Sequence, residues 1–457
     1  MPSRKSFVLR DAVHGDIYLT TEERRILDTP EMQRLRGIKQ LASADLVYPC
    51  ARHTRFEHSI GTLHMAQQMI DAINRNAEQE PARCLGIGPE EARIVRASAL
   101  LHDITHIPFG HNIEDQTRLF ERHDTAPRFQ AMLGLSTGVG RVLSELRLRD
   151  EVLAILCPEG TPGLPAVPAS WRQIVSDTIC SDILDYLARD AYFTGLDLTY
   201  DRRIINYFKI DRATQKLYID CVKRGQLRED VVSEIVRMLE ARYYFSERVY
   251  YHHAKVLAGA VIAKAAEHAV TSGALKAEDF FHLSDEMAVE RLANARYEDP
   301  QIRRRVQRLM EGFRRRELLK RVCVYSYAEN REIQAELVEL YFTTKGLEAR
   351  AQKEAEIAEL VRMATGAEVE IVLYCPAKKM QLKEAQTHVS WPGQGTLEPL
   401  SNYAESIPRL SDLERSYRNL WKFYVLASTR DRAVLRQIQR ICAQVFPRAK
   451  NAYEIPS

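Results

Sequence analysis

Apolar residues recur at helical spacing through most of the first 270 residues of this chain. Ile60, Leu63, Ile70 and Ile73 form one such series, Ile94 and Leu101 belong to a second, and Ile174, Ile183 and Leu187 to a third. Spacings of three and four residues gather apolar side chains on one stripe of a helix, and a stripe must be buried against another helix. A helical body is therefore predicted. Helix starts are legible inside it: Thr20 with Glu23 reads as a capping box, and Asp28-Thr29-Pro30 as a cap followed by proline in the first turn. The segment CPEGTPGLPAVPAS (157–170) is too rich in proline and glycine to be anything but a loop.

The pattern changes after about residue 310. EVEIVLYC (368–375) and WKFYVLAS (421–428) are rich in β-branched and aromatic residues and read as strands. A polar stretch, HVSWPGQGTLEPLSN, separates them, and Asp431 to Val445 reads as an amphipathic helix. A chain of 457 residues exceeds one ordinary core. The expected fold is mainly α, with a helical domain over 1–310 and a smaller α/β region over 311–457. From Arg303 to Arg321, nine of nineteen residues are Arg or Lys. Such a run reads as a solvated helix face or as a surface for phosphate or nucleic acid.

Composition removes several classes. Lys and Arg number 65 against 62 Asp and Glu, so no whole-molecule field calls for nucleic acid or a membrane. Eight scattered cysteines with no CxxC pair exclude the common zinc-ribbon and thioredoxin spacings and supply no disulfide framework. The first residues, MPSRKSFVLRDAVHG, lack the apolar stretch of a signal peptide, and no run of about 18 apolar residues occurs. A cytoplasmic protein is expected.

Histidine carries the chemical information. More than half of the 13 histidines lie between positions 53 and 123. ARHTRFEHSIG (51–61) precedes an amphipathic helix and puts His58 in its first turn. ALLHDITHIPFGH (99–111) ends another helix with adjacent His102 and Asp103, places His106 one turn on, and delivers His111 after a Pro/Gly break. Imidazole with carboxylate is a mixed nitrogen and oxygen donor set suited to zinc, manganese, iron or nickel. A single His-Asp pair is a weak signal, and a lone histidine is usually a satisfied core residue. A cluster this dense points to a site. In SDTICSDILDYLARDAYFTG (176–195), Asp182, Tyr186 and Asp190 share one helical stripe. Spacing alone does not connect that stripe to the histidines.

The order H…HD…D, formed by His58, His102-Asp103 and Asp182, resembles the HD phosphohydrolase pattern. The longer words DAVHGDIYL, DTPEMQRLRGIKQL, HTRFEHSIG, HDITHIPFGH and DYLARDAYFTG resemble the deoxynucleoside triphosphate triphosphohydrolases of that superfamily. The likeness runs in order from about Phe7 to Lys264 and continues faintly beyond, with no SAM domain expected ahead of it. It implies that His58, His102, Asp103 and Asp182 hold a divalent metal, with magnesium accompanying a triphosphate. It implies catalytic roles for His111, His106 and His123 around the phosphates and a triphosphate grip for Arg55. Gln40 and Asp190 would read the deoxyribose 3′-hydroxyl, Tyr186 and Leu41 would pack on the sugar, and Arg248 and Tyr250 would touch substrate further on. The reaction implied is attack at the α-phosphorus, releasing deoxynucleoside and intact triphosphate.

The resemblance also implies an activator. Asp28, Gln33 and Arg36 match a guanine-reading site whose occupation assembles an oligomer, a dimer or tetramer, and they are expected on one helix that ends at Gln40 and Leu41. The family's lysine just ahead of DAVHG is Phe7 here, with Lys5 nearby, its base-facing glutamine is Tyr251, and a following lysine is His253. Two other readings stay open. One is an HD hydrolase of another nucleotide phosphate ester; the other is a sensor that binds nucleotide or nucleic acid without turnover.

Overall fold

A computed structural model describes residues 7–117, 119–377, 380 and 382–455; Lys5 lies outside them. The chain opens with a hairpin of Phe7–Asp11 and Gly15–Leu19, absent from the helical expectation. Helix Thr21–Leu27 follows, and its capping box is present: the Thr20 hydroxyl accepts from the Glu23 amide, and the Glu23 carboxylate accepts from the Thr20 amide. Thr29 and Pro30 open helix Pro30–Arg34.

Helix Arg55–Gln79 is the axis of the helical body, with helices Pro89–Leu101 and Ser181–Thr194 packed along it. Its buried positions include Ile60, Leu63, Ile70 and Ile73, the stripe read from the sequence. Helices His253–Thr271, Asp285–Asn294 and Pro300–Arg314 enclose a second apolar core, and the hairpin and first helices enclose a third. The 157–170 segment is a loop until Ala169 opens a short helix.

The predicted strands occur as Ile371–Tyr374 and Lys422–Ala427, and helix Arg432–Val445 is capped by Asp431. A third strand, Lys320–Ser326, was hidden by the basic run that leads into it. It pairs antiparallel with Lys422–Ala427, which is also antiparallel to Ile371–Tyr374. A five-stranded sheet joins the two halves of the chain, with Val389 paired in parallel to Ile219. One apolar cluster runs from Met65 and Leu184 to Phe423 and Ile438. The change of pattern near residue 310 falls inside helix Pro300–Arg314, not in a linker. Among the described residues no helix is long and apolar enough to cross a membrane.

Candidate metal centre and active site

Three helix ends deliver one cluster. His58 comes from the first turn of Arg55–Gln79, His102 and Asp103 from the end of Pro89–Leu101, and Asp182 from the first turn of Ser181–Thr194. His58 Nε2 lies 3.1 Å from His102 Nε2 and 3.0 Å from Asp182 Oδ1. Asp103 Oδ2 is 3.7 Å from His58 Nε2, and Asp103 Oδ1 is 3.6 Å from His102 Nε2.

The donor set fits a divalent cation. His102 Nδ1 donates to the Ala99 carbonyl at 2.9 Å and His58 Nδ1 to Asp185 Oδ2 at 2.7 Å, which leaves both Nε2 lone pairs facing the carboxylates. Burial alone would lower the His58 pKa, yet hydrogen bonds to Asp182 and Asp185 push it up to about 10. Burial likewise opposes ionisation of Asp182, but His102 and His58 hold it below the usual carboxylate range. The carboxylates thus favour positive charge between them, which a metal ion supplies without a proton.

Asp185, not singled out from the sequence, is the support of His58. Its carboxylate also meets His14 Nε2 at 2.6 Å and Arg189 Nε and Nη2 at 2.9 Å, and Arg189 reaches back to Asp11 at 2.8 Å. The DAVHG word therefore supplies the two ends of a buried network, Asp11 and His14. A clue was present: Asp185 and Arg189 are spaced four apart on the stripe next to Asp182. Gly61 makes room for them, since a Cβ there would stand 1.9 Å from Asp185 Oδ1.

A second group of histidines adjoins the first. His106 Nε2 lies 3.2 Å from Asp103 Oδ1, and its ring stacks on His123 at 3.6 Å between centroids. His111 stands edge-on to both, and about half of its side chain is exposed. Glu114 Oε2 accepts from His123 Nδ1 at 2.7 Å, and Asp115 Oδ2 is 3.2 Å from His111 Nδ1; neither acid was singled out from the sequence. These three histidines could also be grouped as metal donors. Next to the first cluster, three imidazoles are equally suited to the oxygens of a phosphate chain. Burial and the nearby Arg55 guanidinium hold His106 well below the usual imidazole range, so it is neutral. Gly110, at φ 36°, makes the break that turns the chain toward His111.

Arg55 is buried and bonded to Asp103, which puts its guanidinium against the metal cluster. Along the helix from Asp182, Asp190 is buried with both oxygens engaged: Oδ1 by His53 Nε2 at 2.9 Å and Oδ2 by the Tyr250 hydroxyl at 2.6 Å. His53 was missed from the sequence. Gln40 and Leu41 follow a 3-10 turn at Leu35–Gly37 instead of ending a helix, and the buried Gln40 Oε1 has no partner among the described residues. Tyr186 stands edge-on to His58 at 6.4 Å and bonds Arg242, a cation the sequence reading did not select. Arg248 is not brought to this group. Its side chain is half exposed beside Glu247 and over the Tyr244 ring.

The expected single helix through Asp28, Gln33 and Arg36 is three short elements. Asp28 caps the C-terminus of Thr21–Leu27 and pairs with Arg24, Gln33 lies in Pro30–Arg34, and Arg36 in the 3-10 turn. Pro30 prevents continuation of the first helix. Gln33 and Arg36 are nevertheless bonded at 2.9 Å, and the Arg36 guanidinium lies 3.5 Å over the Phe56 ring.

Comparison with known proteins agrees with this geometry. Residues 55–159 match the HD domain, and residues 223–451, half of the chain, match the HD associated region. The chain belongs to the HD-domain family. It is 31% identical over 331 residues to an uncharacterized protein of Methanocaldococcus jannaschii, covering 70% of this chain and 60% of that one. It is 28% identical to the deoxynucleoside triphosphate triphosphohydrolase SAMHD1 homolog of Dictyostelium discoideum, covering 62% of this chain and 52% of the relative. The corresponding Homo sapiens protein is 27% identical, with 61% and 45% covered. The chain thus spans about half the length of these curated relatives. A phosphohydrolase from Bacteroides thetaiotaomicron shares the fold over 92% of this chain and 99% of its own, with TM-score 0.63 and 22% identity.

Proposed function

We propose that this protein hydrolyses deoxynucleoside triphosphates to deoxynucleoside and inorganic triphosphate at a divalent metal held by His58, His102, Asp103 and Asp182. The observation that carries the reading is the stripe on helix Ser181–Thr194. Asp182 enters the metal cluster, Tyr186 stands edge-on to His58 one turn on, and Asp190 meets His53 and Tyr250 one turn further. One helix thus presents phosphate chemistry at its start and hydrogen-bonding groups for a sugar further along. SAMHD1 relatives in organisms as distant as Dictyostelium and human support the substrate class.

A bound divalent metal would polarise a phosphoryl oxygen and lower the pKa of its water towards ~7. Arg55 and neutral His106 bind oxygens of the phosphate chain. His111, half exposed and backed by Asp115, protonates the departing 5′-oxygen as a general acid. Asp190 and Gln40, whose Oε1 has no partner among the described residues, hold the 3′-hydroxyl, and Tyr186 with Leu41 packs on the sugar where a 2′-hydroxyl would intrude. A guanine nucleotide at Asp28, Gln33 and Arg36 raises activity by stabilising an oligomer; the stacking of Arg36 on Phe56, next to Arg55, supports such a link.

Purified protein given Mn²⁺ or Mg²⁺ and each deoxynucleoside triphosphate should yield triphosphate and deoxynucleoside in equal amounts, separable by ion exchange. Stepwise release of orthophosphate would overturn the reading.

A further inference from the structure

Lys255 is a largely buried ammonium packed against Tyr250 without a carboxylate to neutralise it. It stands in the first turn of helix His253–Thr271, just after the turn Ser246–Tyr250 that brings Tyr250 to Asp190. Its Nζ lies 3.4 Å from the Tyr250 carbonyl oxygen, at the long limit of a hydrogen bond, and 5.5 Å from the centroid of that ring. Among the described residues no carboxylate comes within ion-pair distance. The charged groups that act on it are Asp190 and Arg55. Asp190 acts on it from beyond ion-pair distance, and the negative charge of Asp190 is shared with His53 and Tyr250. Burial pulls the ammonium down to about 8, Asp190 holds it up, and the Arg55 guanidinium pushes it down again.

A half-paired cation beside a second cation is unfavourable in an empty pocket. It becomes favourable when a multivalent anion enters between them, since charge-assisted bonds to phosphate are the strong ones. Arg55 already marks the edge of the metal cluster through Asp103, and Lys255 lies over Tyr250, whose hydroxyl bonds Asp190, close enough for the two cations to act on each other. An anion touching both cations would therefore lie between the metal ligands and the group proposed to read the sugar, which is where a nucleotide carries its phosphates. A purely structural lysine would instead have a firm bond to a carbonyl or carboxylate, and the long contact to Tyr250 is a poor one.

We infer that Lys255 is a phosphate-binding residue of the substrate pocket, gripping with Arg55 the polyphosphate chain of the nucleotide. The inference rests on the proposed triphosphate substrate, and its test separates the two. Inorganic tripolyphosphate and a deoxynucleoside are titrated separately into the metal-loaded protein at pH 7 with excess Mg²⁺, for wild type, Lys255→Met and Lys255→Arg. Lys255→Met should weaken tripolyphosphate binding about 10- to 100-fold, the loss of one charge-assisted bond. Lys255→Arg should stay near wild type, and deoxynucleoside affinity should be unchanged in both variants. If Lys255→Met unfolds, Lys255→Gln gives the same comparison. Unchanged tripolyphosphate affinity in the charge-removed variant, or equal loss for the deoxynucleoside, would overturn the assignment, as would a wild type that binds no tripolyphosphate. If wild type binds tripolyphosphate through Lys255 yet releases none from deoxynucleoside triphosphates, the substrate reading falls and the phosphate site stands.

Discussion

His58 Nδ1 donates to Asp185 Oδ2 at 2.7 Å, so a buried carboxylate fixes both the tautomer and the plane of the imidazole whose other nitrogen faces the metal cluster. Asp185 is itself clamped by Arg189 and His14. Asp185→Asn keeps the shape and removes the charge, and metal affinity should fall about 10- to 100-fold. Metal titration of the purified variant reads this directly. An unaltered affinity would mean that Asp185 serves the fold alone.

His102→Ala and Asp103→Ala should each abolish turnover and bound metal while helical content measured by circular dichroism is retained. Because the metal binds only the folded state, removing it from wild type with a chelator should also lower the thermal midpoint. Full activity in either variant would sink the ligand assignment.

Gly61→Ala should be among the most damaging single-methyl changes in the chain. Its Cβ would meet Asp185 Oδ1 at 1.9 Å and Arg189 Nη2 at 2.4 Å, two side chains locked in a network with no free direction to move. Overpacking of this kind costs about 1–3 kcal/mol and should displace the support of His58 as well. Denaturant unfolding and metal content should fall together.

Tyr186→Ala should relax the choice of sugar. With Tyr186 in place, deoxynucleotides are expected to exceed ribonucleotides by about 10²-fold or more in kcat/KM, the usual scale for a clash or an unpaired hydroxyl in a closed pocket. The variant should narrow that ratio chiefly by raising ribonucleotide turnover. Equal wild-type rates on GTP and dGTP would remove Tyr186 from this role.

A guanine nucleotide should raise hydrolysis of dATP about 5- to 150-fold, the range of an ordinary coupling energy, with a matching increase in sedimenting mass. Asp28→Ala should abolish the response and leave helix Thr21–Leu27 only slightly weakened. If rate and mass stay constant in both proteins, Asp28 is a helix cap paired with Arg24 and nothing more.

The helical body, its capping box at Thr20, the two C-terminal strands and the H…HD…D series were all legible in the sequence. The first three depend on contacts a few residues apart, which leave a periodicity or motif behind, whereas the series from His58 to Asp182 was legible only through the resemblance of the words around it to a known family. What stayed hidden depends on partners far apart in the chain. Asp185 looked like one more acid on a helix until folding set it against His58 and His14, and His53 until it met Asp190. Strand Lys320–Ser326 was masked because its leading residues continue a basic run, and only pairing with Lys422–Ala427 defines it. Arg248 and Arg242 are equally basic in sequence, yet the turn after Phe245 leaves the first half exposed while the second bonds Tyr186. Local residue order determined which groups could do chemistry. Packing of helices Arg55–Gln79 and Ser181–Thr194 decided which ones meet, because burial and long-range hydrogen bonding have no counterpart in the linear chain.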